Sequence, residues 1–140
     1  MNSFENFETF KQSYKFNKQK YDLGILAEKE VLPVLRKFFK DDSLKPLSDG
    51  SHFDFKGQNK IIELKSRTCN RHTYRDTAIG VQKISYAKQS SVDVYFIFQF
   101  IDGLYYWKYN PTDYLRLGAI STSGIAHLFI PVVLLTQLKV

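Results

Sequence analysis

Between Val92 and Ile101 the chain reads V-D-V-Y-F-I-F-Q-F-I, almost wholly β-branched or aromatic. Such a run is expected of a central strand covered on both faces, so the fold must place layers above and below it. Asp102-Gly103 is a hairpin signal, and Leu104 to Tyr109 is the returning strand. Upstream, the spacing predicts a helix from about Asp22 to Phe39, with Asp22 at its N-cap and a kink at Pro33. Phe4, Phe7, Phe10 and Tyr14 predict a shorter helix before it. Asp41 to Ser51 reads as loop. His52–Lys56 and Lys60–Lys65 read as a hairpin turned by Gly57, Gln58 and Asn59. After a polar loop over Arg67–Thr77, the pattern predicts a helix over Thr77–Gln89. Asn110-Pro111-Thr112 starts a short helix, and a strand near Ala126–Ile130 and a terminal helix from Pro131 close the chain. The expected class is α/β or α+β, a mixed sheet flanked by helices.

With 140 residues the chain is expected to form one domain. Residues 1–20 read as a helical extension, 21–110 as the core, and 111–140 as a closing strand and helix. A single cysteine, Cys69, excludes a disulfide framework and a multi-cysteine zinc site, and it suits a reducing, intracellular setting. No signal peptide is read at the N-terminus, and the longest apolar stretch, Leu128–Leu135, is too short to cross a bilayer. No membrane partner is therefore expected. The net charge is +6, and the excess is concentrated. Lys11, Lys15, Lys18 and Lys20 share an acid-free stretch, and Arg67, Arg71, Arg75, Lys83 and Lys88 are opposed only by Asp76. Clustered basicity fits a polyanion, and equally a solvated surface.

The hairpin carries the chemistry. Turning at Gln58-Asn59 sets Phe55 opposite Ile62, Asp54 opposite Glu63 and Phe53 opposite Leu64. That register gathers Phe53, Phe55, Ile62 and Leu64 on one face and Asp54, Glu63 and Lys65 on the other; a one-residue slip would mix them. His52 shares the Asp54 face, as a site residue or simply as a strand end. Two carboxylates at ~4 Å repel by about 4 kcal/mol at an effective dielectric near 20. A proton, a cation or the Lys65 ammonium must relieve them, and hard oxygen ligands suit Mg²⁺ or Mn²⁺. On the Asp22–Phe39 helix, Ile25, Leu32, Leu35 and Phe39 form an apolar stripe that includes Glu28. A carboxylate placed there needs a partner on the sheet beneath, unless it reaches water at the stripe's edge.

Glu28, Asp54 and Glu63-Leu64-Lys65, in that order and setting, resemble the PD-(D/E)xK nuclease superfamily. Gln82 and Tyr86 are similar to the Gln-x-x-x-Tyr element of its RecB-type branch. The resemblance spans roughly Tyr21–Tyr109 and departs from the family where Phe53, not proline, precedes Asp54. It implies a restriction-endonuclease-like core of order αβββαβ. It also implies a Mg²⁺-dependent nuclease, with Mn²⁺ as a substitute, that hydrolyses phosphodiester bonds in DNA. Asp54, Glu63 and the Leu64 carbonyl would hold the metal, with Glu28 binding it directly or through water. Lys65 would orient the attacking water. Gln82, Tyr86, Arg67, Arg71, Arg75 and Lys83 would contact nucleic acid.

The expected role is a structure-directed endonuclease of DNA repair, recombination or replication, resembling a junction resolvase, for which a homodimer would place two such centres on two strands. A RecB-like exonuclease or a restriction-type endonuclease fits the same residues. From other classes come a nuclease-like fold that binds nucleic acid without cutting it, and a protein–protein module using Phe4, Phe7, Phe10 and Tyr14.

Overall fold

A computed structural model describes residues 24–122 and 125–139. The expected N-terminal helix, the residue 1–20 extension and the Asp22 cap lie outside the described residues. Helix α1 covers residues 24–39, and the strands β1 (Lys45–Pro46), β2 (Phe55–Gly57) and β3 (Lys60–Ser66) follow. Next come β4 (Asp76–Gly80), α2 (Val81–Gln89), β5 (Asp93–Phe100) and β6 (Gly103–Lys108). The remainder is α3 (Pro111–Leu117), β7 (Ala119–Thr122), β8 (Ile125–Pro131) and β9 (Thr136–Gln137). The class is mixed α and β. No helix among the described residues is long and apolar enough to cross a membrane.

The Val92–Ile101 run forms β5, in the interior of a six-stranded sheet of order β1-β2-β3-β5-β6-β9. Alternation sends its side chains both ways. Val94, Phe96, Phe98 and Phe100 face a layer made of α2 and a three-stranded sheet of order β4-β8-β7, where Ile79, Ile84, Leu128 and Ile130 meet them. Ile97 faces the opposite way, onto Ala27, Val31 and Leu35 of α1. Both faces are covered, as so apolar a strand requires. Only β3 and β5 pair in parallel within the larger sheet, and β4 with α2 supplies the crossover that a parallel pair needs.

Several expectations shift. The predicted helix over Thr77–Gln89 begins only at Val81, because Thr77 and Ile79 are buried at period two and place residues 76–80 in β4. The terminal helix from Pro131 is one 3₁₀ turn, Val132–Leu134, followed by β9, which pairs with β6 through Tyr105–Gln137 and Tyr106–Thr136. The loop over Asp41–Ser51 contains the short strand β1. Helix α1 runs unbroken through Pro33, whose ring is exposed. Its buried stripe is Ala27, Val31 and Leu35, and Ile25 is 39% exposed. As expected, Asn110 caps α3, its Oδ1 accepting from the amides of Thr112 and Asp113.

Candidate functional site

The hairpin takes the register that polarity selects: Phe55 pairs with Ile62, and Gly57 with Lys60. Asn59 closes the turn with φ at 56°. Beyond Phe55 the ladder changes. The Asp54 amide donates to the Ile62 carbonyl, and the Asp54 carbonyl accepts from Leu47. Phe53 is thereby turned into the core beneath α2, while Phe55, Ile62 and Leu64 stay beneath α1. The expected grouping of all four on one face is corrected at that residue.

Asp54 is held at backbone and side chain alike. Its Oδ2 accepts the Leu64 amide at 2.8 Å, and the Leu64 side chain itself packs into the α1 core. Glu63, only 4% exposed, stands on the opposite face of β3 from Leu64. The Lys83 ammonium lies 3.1 Å from Glu63 Oε2, and the Lys65 ammonium lies 3.5 Å from the same oxygen. Burial first, then hydrogen bonding to Asp54 and its charge, push the Glu63 carboxyl up to about 7, against the pull of the two lysines. Glu28, half-buried at the edge of the α1 stripe, is also pushed up to about 7. Its causes are burial, a hydrogen bond to Asp54, and the charges of Asp54 and Asp49.

The three acids form a chain, Glu28 to Asp54 to Glu63, with Asp54 the shared link. Among the described residues no three His, Cys, Asp or Glu side chains close into a ready metal-holding group. The donor set is nonetheless all oxygen, crowded and short of charge compensation, which fits a hard divalent cation. A cleft of about 310 Å³ opens over Glu28 and Asp54, bordered by Asp49 and Ser51.

The raised carboxyls make metal-free stability depend on pH. Below their ordinary value of 4.5 both are protonated whether the chain is folded or unfolded, and their contribution is fully present. It is lost as pH rises through about 7. Melting temperature in chelator is therefore expected to fall across that window, and Glu28→Gln or Glu63→Gln should flatten the fall. A rise over the same window would contradict the assignment.

The remaining predicted residues divide. Lys83, expected on the nucleic-acid surface, instead inserts its ammonium into the acid site, donating to the His52 carbonyl as well. Gln82 Nε2 donates to the Tyr86 hydroxyl at 3.1 Å, one turn apart as expected, and the Tyr86 ring stacks on His52 with centroids 3.5 Å apart. Arg67 bridges strands: its Nε donates to Thr77 Oγ1 at 3.0 Å and its Nη2 to the Ala78 carbonyl at 2.6 Å. The Arg71 guanidinium lies 4.6 Å from the Tyr105 ring centroid. Arg75 is exposed. Sequence reasoning missed Asp49, the Glu63–Lys83 pair and a cavity bordered by Lys65, Arg67, Arg71 and His127. For Lys83 the available signal was its place directly after Gln82. Asp49 and His127 carried none.

Compared with known family models, curated proteins and solved structures, the chain matches none of them at a significant level.

Proposed function

We propose that the protein is a divalent-cation-dependent nuclease that hydrolyses phosphodiester bonds in DNA, built on a restriction-endonuclease-like core and acting inside the cell. The observation that carries this reading is the acid chain Glu28–Asp54–Glu63 lying against two lysines, with one of them, Lys65, also bordering a basic cavity.

Asp54, Glu63 and the Leu64 carbonyl, with Glu28 behind Asp54, would hold Mg²⁺ or Mn²⁺. When bound, the ion supplies Lewis acidity toward the phosphate and the leaving oxygen. The chain's own groups do the rest. Lys65 is 29% exposed, so its ammonium reaches both Glu63 and incoming solvent or substrate. There it orients the attacking water and offsets charge that builds on the phosphorus oxygens. Lys83 fixes the Glu63 carboxyl from the α2 side. Without the ion the two carboxyls are raised to about 7, so a cation entering the site displaces protons from them near neutrality. A homodimer would set two such centres on the two strands of a branched substrate, as a structure-directed endonuclease of repair or recombination requires.

Addition of Mg²⁺ or Mn²⁺ is expected to raise the melting temperature, and more at pH 8 than at pH 6, because protons compete for the same oxygens. At a hundredfold excess over Kd the gain is roughly 2.7 kcal/mol. Indifference to both ions at both pH values would count against the site. That outcome would favour the second reading, a binder without catalysis, which the occupation of Glu63 by Lys83 supports.

A further inference from the structure

On the other side of Lys65 lies a cavity of about 430 Å³, between the end of β3 with its following loop and the strands β4 and β8. Lys65, Arg67, Arg71 and His127 border it, and Asp76 is the acid among its lining residues. Cationic groups outnumber the acid, and although Arg71 Nη2 lies 2.9 Å from His72 Nε2, two nitrogens at the cavity stay unpaired. The buried Arg71 Nε and the buried His127 Nδ1 have no hydrogen-bond partner among the described residues. Arg67, half-buried, has no carboxylate within ion-pair distance among the described residues. Its guanidinium is instead fixed in place by Thr77 and Ala78.

Unmet donors in a buried site are costly, and native proteins leave few of them. The two come from separate elements, β8 and the loop after β3, yet both residues border one space, beside Arg67 of the same loop. A ligand that satisfies them must be anionic and rich in acceptors. It must be compact enough to receive a guanidinium and an imidazole together, the latter with its proton on Nδ1. A phosphate group meets each condition, and arginine is the side chain suited to holding it. Lys65 borders this cavity and touches Glu63 as well, so a strand lying across Lys65 continues from one site to the other.

We propose that the cavity bordered by Arg67, Arg71 and His127 is a phosphate subsite that grips the backbone phosphate flanking the one at Lys65. It draws on the nuclease reading for the identity of the strand, and it adds the contact that positions the strand. Arg71 and His127 are thus positioning residues, made useful by the second sheet that carries His127.

The test is binding in chelator, where no cleavage occurs. Affinity for a fluorescent DNA duplex is measured from low to moderate salt for the native protein, Arg71→Gln, His127→Gln and, as a control on the exposed side of α1, Lys37→Gln. Unchanged melting temperatures confirm folding, and either variant alone suffices if the other fails to fold. The expected result is about tenfold weaker binding for each cavity variant, with a salt slope shallower by ~0.9 for Arg71→Gln and an unaltered Lys37→Gln. Equal binding by both cavity variants overturns the inference. So does a shift of the His127 ring resonance with inorganic phosphate but no loss of DNA affinity, which marks an adventitious ion only. If the variants weaken binding while Mn²⁺ elicits no cleavage, the subsite stands and the nuclease reading alone fails. If DNA is cut but both variants bind normally, the reverse holds.

Discussion

Lys65→Ala and Glu63→Ala are each expected to lower DNA cleavage by at least ~10²-fold. Glu63 is the meeting point of the site, 4% exposed and in contact with Asp54, Lys65 and Lys83. On the proposed reading its removal deletes an oxygen pair that would hold the cation, and it frees both ammoniums at once. Lys65→Ala deletes only the amine that, on the same reading, would orient the attacking water. Folding should survive both changes. Glu63 is held at about 7 because its charge is unfavourable where it stands, and Lys83, 29% exposed, can turn outward to water. Glu63→Gln keeps the volume and removes the charge, so it should fold as the native protein does and remain inactive. Initial rates on a labelled duplex with Mn²⁺ decide the matter, and native-like rates in both alanine variants would overturn the assignment.

Gly57→Ala is expected to cost about 1–3 kcal/mol of stability without touching the site. A Cβ at Gly57 would stand 2.5 Å from Asp41 Oδ2 and 2.8 Å from Leu44 Cδ2. Neither neighbour can withdraw. Asp41 Oδ2 accepts from the Gln58 amide and the Lys60 ammonium, each at 2.8 Å, while Asp41 Oδ1 accepts from Ser43. Leu44 is fully buried in the core beneath α1. The hairpin turn is therefore built around the Asp41 carboxylate, and glycine is required for the close approach. A urea midpoint unchanged by Gly57→Ala would contradict this packing. The Lys60 and Ser43 hydrogen bonds hold the Asp41 carboxyl well below its ordinary value of 3.8. Its contribution is present above that value and lost as pH falls beneath it, the opposite sign and a lower window than Glu28 and Glu63.

The hairpin register was legible because hydrophobic and charged residues alternate over Phe53–Lys56 and Ile62–Lys65, and a slip would have buried charge. Phe53 was not, since its direction depends on a single amide, that of Asp54, turning to the Ile62 carbonyl. The central strand was legible from composition alone. Strand β4 was not, because Ala78 and Ile79 suit a helix as readily as a strand and only pairing with β8 decides between them. The α1 stripe was read through Ile25, whereas Ala27 lies in the buried row, because large apolar residues dominate a periodicity and small ones are passed over. Glu28 was found because it sits near that stripe. Lys83 was grouped with the basic surface, since charge clustering along a chain does not reveal which ammonium turns inward. Asp41 was read as part of a loop, and its pairing with Lys60 is a tertiary contact that leaves no local trace.

The central claim, that the acid chain and Lys65 cut phosphodiester bonds with a divalent cation, is tested most directly by incubation with labelled DNA. Purified protein is mixed at pH 8 with single-stranded, duplex and branched substrates, with Mn²⁺ in one series and chelator in the other. The account predicts cleavage of at least one substrate with Mn²⁺ and of none in chelator. Intact DNA in every Mn²⁺ reaction, from protein shown to be folded, would contradict it.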